Sequence, residues 1–256
     1  MDSITQSQAK EVLAKRLETV EKRIEAACRR AGRSRSEVTL VAITKTVSAK
    51  IAAILPSLGV LDLGESRPQE LWRKAAYLTK VGARANYLGL PSVAPSVRWH
   101  QVGHLQRNKV ETILPLVHLI HSVDSVRLLN ALEQEAAKQN RTAVVLLEVN
   151  VSREANKHGF APFSPEEIPD LVKAIAGFKH VQVTGLMTMA ALESEPERSR
   201  ATFAELWQLR DRMRPDFPSP HDLRHLSMGM SNDFEVAIEE GATLIRLGTV
   251  LFEGLN

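Results

Sequence analysis

The period of apolar and polar positions along the chain changes at Gly32. Before it, Val12, Leu13, Leu17, Val20, Ile24 and Ala27 recur at helical spacing with charges between them. That pattern predicts an exposed amphipathic helix over residues 1–31. After Gly32, short aliphatic runs alternate with helical patterns as far as the last residues. The runs begin at Val38, Val60, Arg98, Leu119, Thr142, Val181, Arg224 and Thr243. The first of them, VTLVAITK, is mostly apolar in both parity sets, as expected of a parallel strand covered on two faces. Eight such units predict a closed (β/α)8 TIM-type barrel over residues 38–256, ahead of an open doubly wound sheet. No Pro/Ser-rich linker divides the chain, so residues 1–256 read as a single α/β domain with an extra N-terminal helix. The stretch from Thr79 to Val97 carries glycines and Pro/Ser pairs with no regular period, and reads as an irregular insertion.

Composition narrows the setting. With 44% apolar and 25% charged residues over 256 positions, the chain is an ordinary globule with a core of normal size. No stretch is long and apolar enough to span a bilayer, and the first residues lack the apolar core of a secretory signal. A cytoplasmic protein with no membrane partner is expected. Cys28 is the sole cysteine, which excludes an internal disulfide and suits a reducing compartment. The net charge of +3 is scattered. The densest basic run, Arg29 to Arg35, follows a helix and contains no aromatic residue, so no nucleic-acid partner is expected. Nothing in the pattern marks an interface between copies, and a monomer is the default.

Against this background a few residues stand out. Lys45 ends the first strand in the parity set of Val41 and Ile43, where barrels carry functional side chains. A lysine partly desolvated there loses some preference for its charged form, and a neutral amine attacks aldehydes. A lysine stem that carries its charge to water is the plainer account of the same position. After the seventh strand, LSMGMSNDFE places Ser227, Gly229 and Ser231 ahead of a helical pattern. The eighth strand ends in Gly248 and Thr249. Gly, Ser and backbone amides at these two strand ends suit an anion, in the region where such barrels hold phosphate. Ordinary capping by Ser231 or Asn232, with Glu235 closing a capping box, accounts for part of the same pattern. Arg246 shares parity with Leu244 and Gly248 in a strand that should face the interior. A buried guanidinium needs an acceptor, either a ligand atom or a carboxylate such as Glu65 or Glu148. Amine, anion cradle and buried cation together describe a site for a phosphorylated aldehyde such as pyridoxal 5′-phosphate. One small ligand must then reach from Lys45 to Ser227 and Gly248.

The segments AITKTVS, DLGESRPQEL, WHQVGHLQRNK, IHSVDS, EVNVSREANKHGF, GLMTM, LSMGMSNDFEVAIEEGATLIRLGT and LFEG occur in this order. In them the chain resembles the YggS/PROSC-type pyridoxal phosphate homeostasis proteins, relatives of the N-terminal barrel of alanine racemase. The resemblance covers nearly everything from Val38 onward. It implies that Lys45 holds the cofactor as a Schiff base, that Ser227, Gly229, Ser231, Gly248 and Thr249 surround its phosphate, and that Arg246 faces the pyridine nitrogen. It also implies a carrier of the cofactor, with apo forms of pyridoxal enzymes as possible recipients, and no catalytic residue is assigned. Ser66 stands where the family usually has Asn.

An amino-acid racemase or related pyridoxal enzyme is the alternative. It would need a second proton-transfer group facing Lys45, and Tyr77 and Tyr87 are poorly placed for that. The alanine racemases supply a tyrosine from an additional domain, for which no residues are expected after Asn256. Barrel logic alone also allows a Schiff-base aldolase acting on a sugar phosphate. No metal site is expected, because the spacing of His100 and His104 in a strand and turn does not put two imidazoles on one face. His121, Glu148, Asn150 and Met187 lie at strand ends and could line the mouth, with structural hydrogen bonding or core packing an equal account of each. Lys157 and His158 follow the fifth strand as polar loop positions.

Overall fold

The computed structural model describes residues 5–87, 97–191 and 195–255. Eight parallel strands close into a barrel in sequence order. They are β1 Thr39–Ile43, β2 Asp62–Glu65, β3 Arg98–Gln101, β4 Val117–Val123, β5 Ala143–Glu148, β6 Val181–Met187, β7 His225–Ser227 and β8 Leu244–Leu247. Seven of the expected runs contain their strand, and β4 begins two residues ahead of the run expected from Leu119. β8 closes onto β1 with Val41 opposite Arg246 and Ala42 opposite Leu247.

The helices run as α1 Gln6–Arg30, α2 Ala49–Ala52, α3 Pro68–Tyr87, α4 Val110–Ile113, α5 Val126–Lys138 and α6 Ile168–Ile175. α7 Arg200–Met213, α8 Phe234–Glu239 and α9 Thr249–Phe252 complete the described set. None of the described helices is long and apolar enough to cross a membrane.

Two apolar layers result from strand parity. Val41, Ile43, Leu119, Leu146, Met187 and Leu244 form a cluster inside the barrel. A larger cluster, including Leu63, Val145, Leu147, Val183 and Ile245, lies between the wall and the helices. This double coverage is why the strands read as nearly continuous apolar runs.

α3 extends further than expected. The irregular insertion was expected from Thr79, but the helix continues through Tyr87. The Ala83–Arg84–Ala85 run favours it, a single interior glycine costs only about 1 kcal/mol, and no proline intervenes before Pro91. Thr79 Oγ1 donates to the Ala75 carbonyl at 2.9 Å, as a helical threonine does. The rest of the expected insertion, residues 88–96, lies outside the described residues.

α1 lies on the barrel with Ala9, Leu13, Val20, Ile24 and Ala27 buried. Arg16 donates to the Leu251 carbonyl at 2.9 Å, and Arg23 makes two bonds to Glu235 at 2.9 and 2.8 Å. The basic run after α1 is largely consumed by structure. Arg30 pairs with Glu239, Arg33 donates to the Ile238 and Ala242 carbonyls, and Arg35 pairs with Glu21.

Candidate functional site

β1 ends at Ile43, two residues before Lys45. Thr44 is buried and its hydroxyl donates to Glu65 at 2.8 Å. Lys45 follows in an exposed turn, so the structure does not show the desolvation expected of it. The turn ends where Ser48 caps α2 by accepting from the Ile51 amide at 3.4 Å. Because β1 and β8 are hydrogen-bonded neighbours, strands about 4.8 Å apart bring the Lys45 turn alongside the end of β8. A Cβ placed on Gly248 would lie 3.4 Å from the Ile43 carbonyl oxygen.

The loops after β7 and β8 are knitted together at this point. Ser231 Oγ accepts from the Gly248 and Val250 amides at 3.3 and 3.2 Å. Thr249, exposed, lies between those amides and opens α9. Gly229 adopts φ +91°, and a Cβ there would stand 2.6 Å from the Ala237 Cβ, so only glycine lets this loop lie against α8. Its carbonyl accepts from the Arg246 amide at 3.0 Å. Two N–H groups therefore converge on one oxygen, at distances longer than the ~2.9 Å of a good amide bond. An anionic oxygen is the better acceptor for such a pair. Asp233, which would repel an anion, is buried and accepts from the Met230 amide at 2.7 Å. Glu235 does not close a capping box; it is held by Arg23.

Beneath these loops a line of polar side chains crosses the barrel interior. Arg246 Nη1 donates to Ser227 Oγ at 2.6 Å, and Nη2 to the Thr188 carbonyl at 2.9 Å. Ser227 Oγ lies 2.8 Å from His121 Nδ1, His121 Nε2 lies 2.8 Å from His100 Nδ1, and His100 Nε2 lies 3.0 Å from Asp62 Oδ1. Arg98 closes the far end with bonds of 2.7 and 2.5 Å to the same carboxylate. Arg246 can only donate and ionised Asp62 can only accept, so the two ends constrain everything between them. With His100 neutral, the hydrogens run one way from Ser227 through both rings to Asp62. With His100 doubly protonated, His121 donates to Ser227 instead and the serine hydrogen is freed.

Burial pushes the Arg246 guanidinium down to about 10, against the opposing pull of Asp233 and Glu148, and leaves it cationic at neutral pH. Burial also holds His121 well below the usual histidine range, with the charges of His100 and Arg246 adding to it. At Asp62 burial acts to raise the carboxyl, but hydrogen bonds from His100 and Arg98 outweigh it and bring it to about 2. A depressed carboxyl contributes stability above its unfolded value of 3.8, and that stability disappears as pH falls toward 2. The contribution is about 2 kcal/mol. Asp62→Asn is expected to flatten the acid limb of the stability curve between pH 4 and 2, as read by urea unfolding at each pH. An unchanged limb would show that the carboxylate is not so held.

Of the residues singled out in the sequence, Lys45, Gly229, Ser231, Gly248 and Thr249 come to neighbouring loops at one mouth. Ser227 and Arg246 lie buried just below. Neither carboxylate considered for Arg246 bonds to it. Glu65 has the outward parity and meets Lys74 of α3 instead, while Glu148 acts on the arginine only through its charge. The chain through His100 and His121 was not legible as a unit, because its members come from five strands. Of the two readings of His121, mouth lining or structural hydrogen bonding, the structure shows the second: it is fully buried and bonded on both ring nitrogens.

A parallel barrel with an amine turn beside paired amides, and a buried cation under both, has the layout of barrels whose ligands bind at the C-terminal ends of the strands. The sequence profile of the alanine racemase N-terminal domain matches residues 16–255. A pyridoxal phosphate homeostasis protein of Aquifex aeolicus is 38% identical over 237 residues, covering 93% of this chain and 96% of that one. A crystal structure of an unknown protein from Bifidobacterium adolescentis superposes with a TM-score of 0.82 at 33% identity, over 98% of both chains. PipY of Synechococcus elongatus, in a structure with the cofactor bound, gives 0.72 at 31% identity over 94% of this chain and 99% of that one. The chain belongs to the pyridoxal phosphate homeostasis proteins of the alanine racemase N-terminal domain family.

Proposed function

We propose that this protein binds pyridoxal 5′-phosphate at the barrel mouth and holds it as part of cofactor homeostasis inside the cell. The observation that carries this is the β1–β8 pairing, which sets the Lys45 turn next to Gly248 and the Ser231 cradle. In this reading the Lys45 amine anchors the aldehyde covalently. Ser231 and the amides of Gly248 and Val250 take the phosphate, with Gly229 and Thr249 shaping the same cradle. Arg246 faces the ring nitrogen, and Ser227 enters by fixing the guanidinium from below. The cofactor, when bound, supplies an electron sink for amino-acid chemistry. A cationic Arg246 opposes protonation of the ring nitrogen and so weakens that sink, which favours a carrier over a racemase. Cytoplasmic residence, delivery to apo enzymes and a monomeric state complete the proposal.

The test is reduction of the cofactor-loaded protein with borohydride, followed by peptide mass spectrometry. A pyridoxyl adduct on the Lys45 peptide, absent in Lys45→Ala, is the expected result. No adduct, or one confined to another lysine, would overturn the assignment of the anchor. Rapid exchange of amino-acid α-hydrogens by the loaded protein would shift the reading to a racemase.

A further inference from the structure

The strongest feature outside this site lies on the same end of the barrel, across β3, β4 and β5. His104 follows β3, Asp124 follows β4 directly, and His158 lies in the loop after β5. One donor atom from each falls within 4.8 Å of the other two. His104 Nδ1 is 2.9 Å from Asp124 Oδ2, and the two imidazoles stack with centroids 4.4 Å apart and planes 19° from parallel. From this geometry we infer that His104, Asp124 and His158 form a binding site for a first-row divalent cation of the zinc type.

Three arguments support it. The first is chemical. Two imidazoles and one carboxylate are a common donor set for zinc and its neighbours, and three protein ligands leave a position for water. The second concerns size. Even with all donors at the outer separation, a central ion would lie ~2.8 Å from each; contraction by about 0.7 Å reaches a zinc bond length, with one of the two stacked rings turned so that both nitrogens aim at the ion.

The third is preorganisation, since each donor sits on a pinned loop. The Gly103 carbonyl beside His104 accepts from Ser122 Oγ at 2.6 Å and Gln101 Nε2 at 2.9 Å. The other Asp124 oxygen accepts from Ser125 Oγ at 3.1 Å, the kind of outer bond that orients a ligating carboxylate. Beside His158, Gly159 adopts φ +119°, and a Cβ there would lie 2.9 Å from both the Glu148 oxygen and the Asn150 nitrogen. Phe160 donates to the Glu148 carbonyl at 2.7 Å and accepts from the Asn150 amide at 2.9 Å, which binds that loop to β5. The His104–Asp124 bond and the stacking of His158 on His104 bring the three side chains together without an ion, and a cation would join all three at once. The separation of His100 from His104 in the sequence argument still holds. His100 is interior, and His104 finds its partners on other loops.

Isothermal titration of the untagged, chelator-stripped protein with zinc chloride tests the site, and cobalt(II) absorption reports the ligand field. Saturable binding of one zinc per chain is expected. His104→Gln, Asp124→Asn and His158→Gln are each expected to weaken it by at least about tenfold, with far-UV dichroism unchanged. Lys45→Ala should bind zinc like the parent, which separates this site from the cofactor anchor. Absence of saturable binding in the parent protein would overturn the inference. So would zinc affinity equal to the parent's in either histidine variant.

Discussion

Glu65→Ala is expected to destabilise the protein by about 3–5 kcal/mol, the range seen when one partner of a buried ion pair is removed. For a chain of this size that is a fall in melting temperature of roughly 10 °C. Lys74 is 1% exposed and Glu65 is fully buried. The ammonium bonds Glu65 Oε1 and the Thr44 carbonyl, the latter at 2.6 Å. Among the described residues, Glu65 Oε2 has no hydrogen-bond partner. Removing the carboxylate leaves a charge inside the layer between barrel and α3, where water cannot reach it. Removing both charges is a different experiment. Glu65→Leu with Lys74→Met keeps the volume and is expected to recover all but about 1–2 kcal/mol, since a buried pair is rarely better than well-packed apolar groups. A loss below 1 kcal/mol for Glu65→Ala alone would mean the ammonium finds another acceptor. The pair also bears on function, because Thr44 is the residue before Lys45. Lys74 holds its carbonyl and Glu65 its hydroxyl, so the two charges fix the base of the turn that presents the proposed anchor.

This pair shows where reading the sequence stops. Arg246 could be recognised as interior because a single cation interrupts an apolar strand whose parity is otherwise clear. The eight strands were legible for a related reason, since coverage on both faces suppresses polar alternation. Lys74 gave no such signal. It lies in a helix rich in charge, where most lysines reach water, and its partner is named only by the outward parity of Glu65 at the last position of a short strand. β4 hid the interior chain differently. Its pairing with β5 shifts register between Ile120 and Val123, and simple alternation does not carry through such a shift. Alternation therefore leaves open whether His121 lines the mouth or bonds in the interior, and it bonds His100 and Ser227 across the barrel. Three cation donors from three loops leave no spacing pattern at all, because the loops meet only when the sheet closes.

Glu148→Gln should remove the pH dependence that the native residue imposes. Burial first, and then the charge of Asp124, raise the Glu148 carboxyl from 4.5 to about 7, against the opposing effects of Arg246 and His104. Between those pH values the folded chain holds a proton there that the unfolded chain releases. Stability contributed by this proton is complete below pH 4.5, declines as pH rises and is gone above about 7. The span corresponds to about 3 kcal/mol. Glutamine has nearly the same shape and stays neutral throughout, so the variant should match the parent at pH 4.5 and exceed it by about 3 kcal/mol at pH 8. Chemical unfolding across this range, with a chelator present to keep cations from the neighbouring His104–Asp124–His158 cluster, measures the difference. Parallel curves would mean that Glu148 ionises in the folded protein as it does in water. A converging pair at low pH would instead identify a carboxylic acid kept protonated beside a guanidinium. The guanidinium bonds Ser227 and the Thr188 carbonyl and acts on Glu148 through its charge alone, which burial of the carboxyl outweighs.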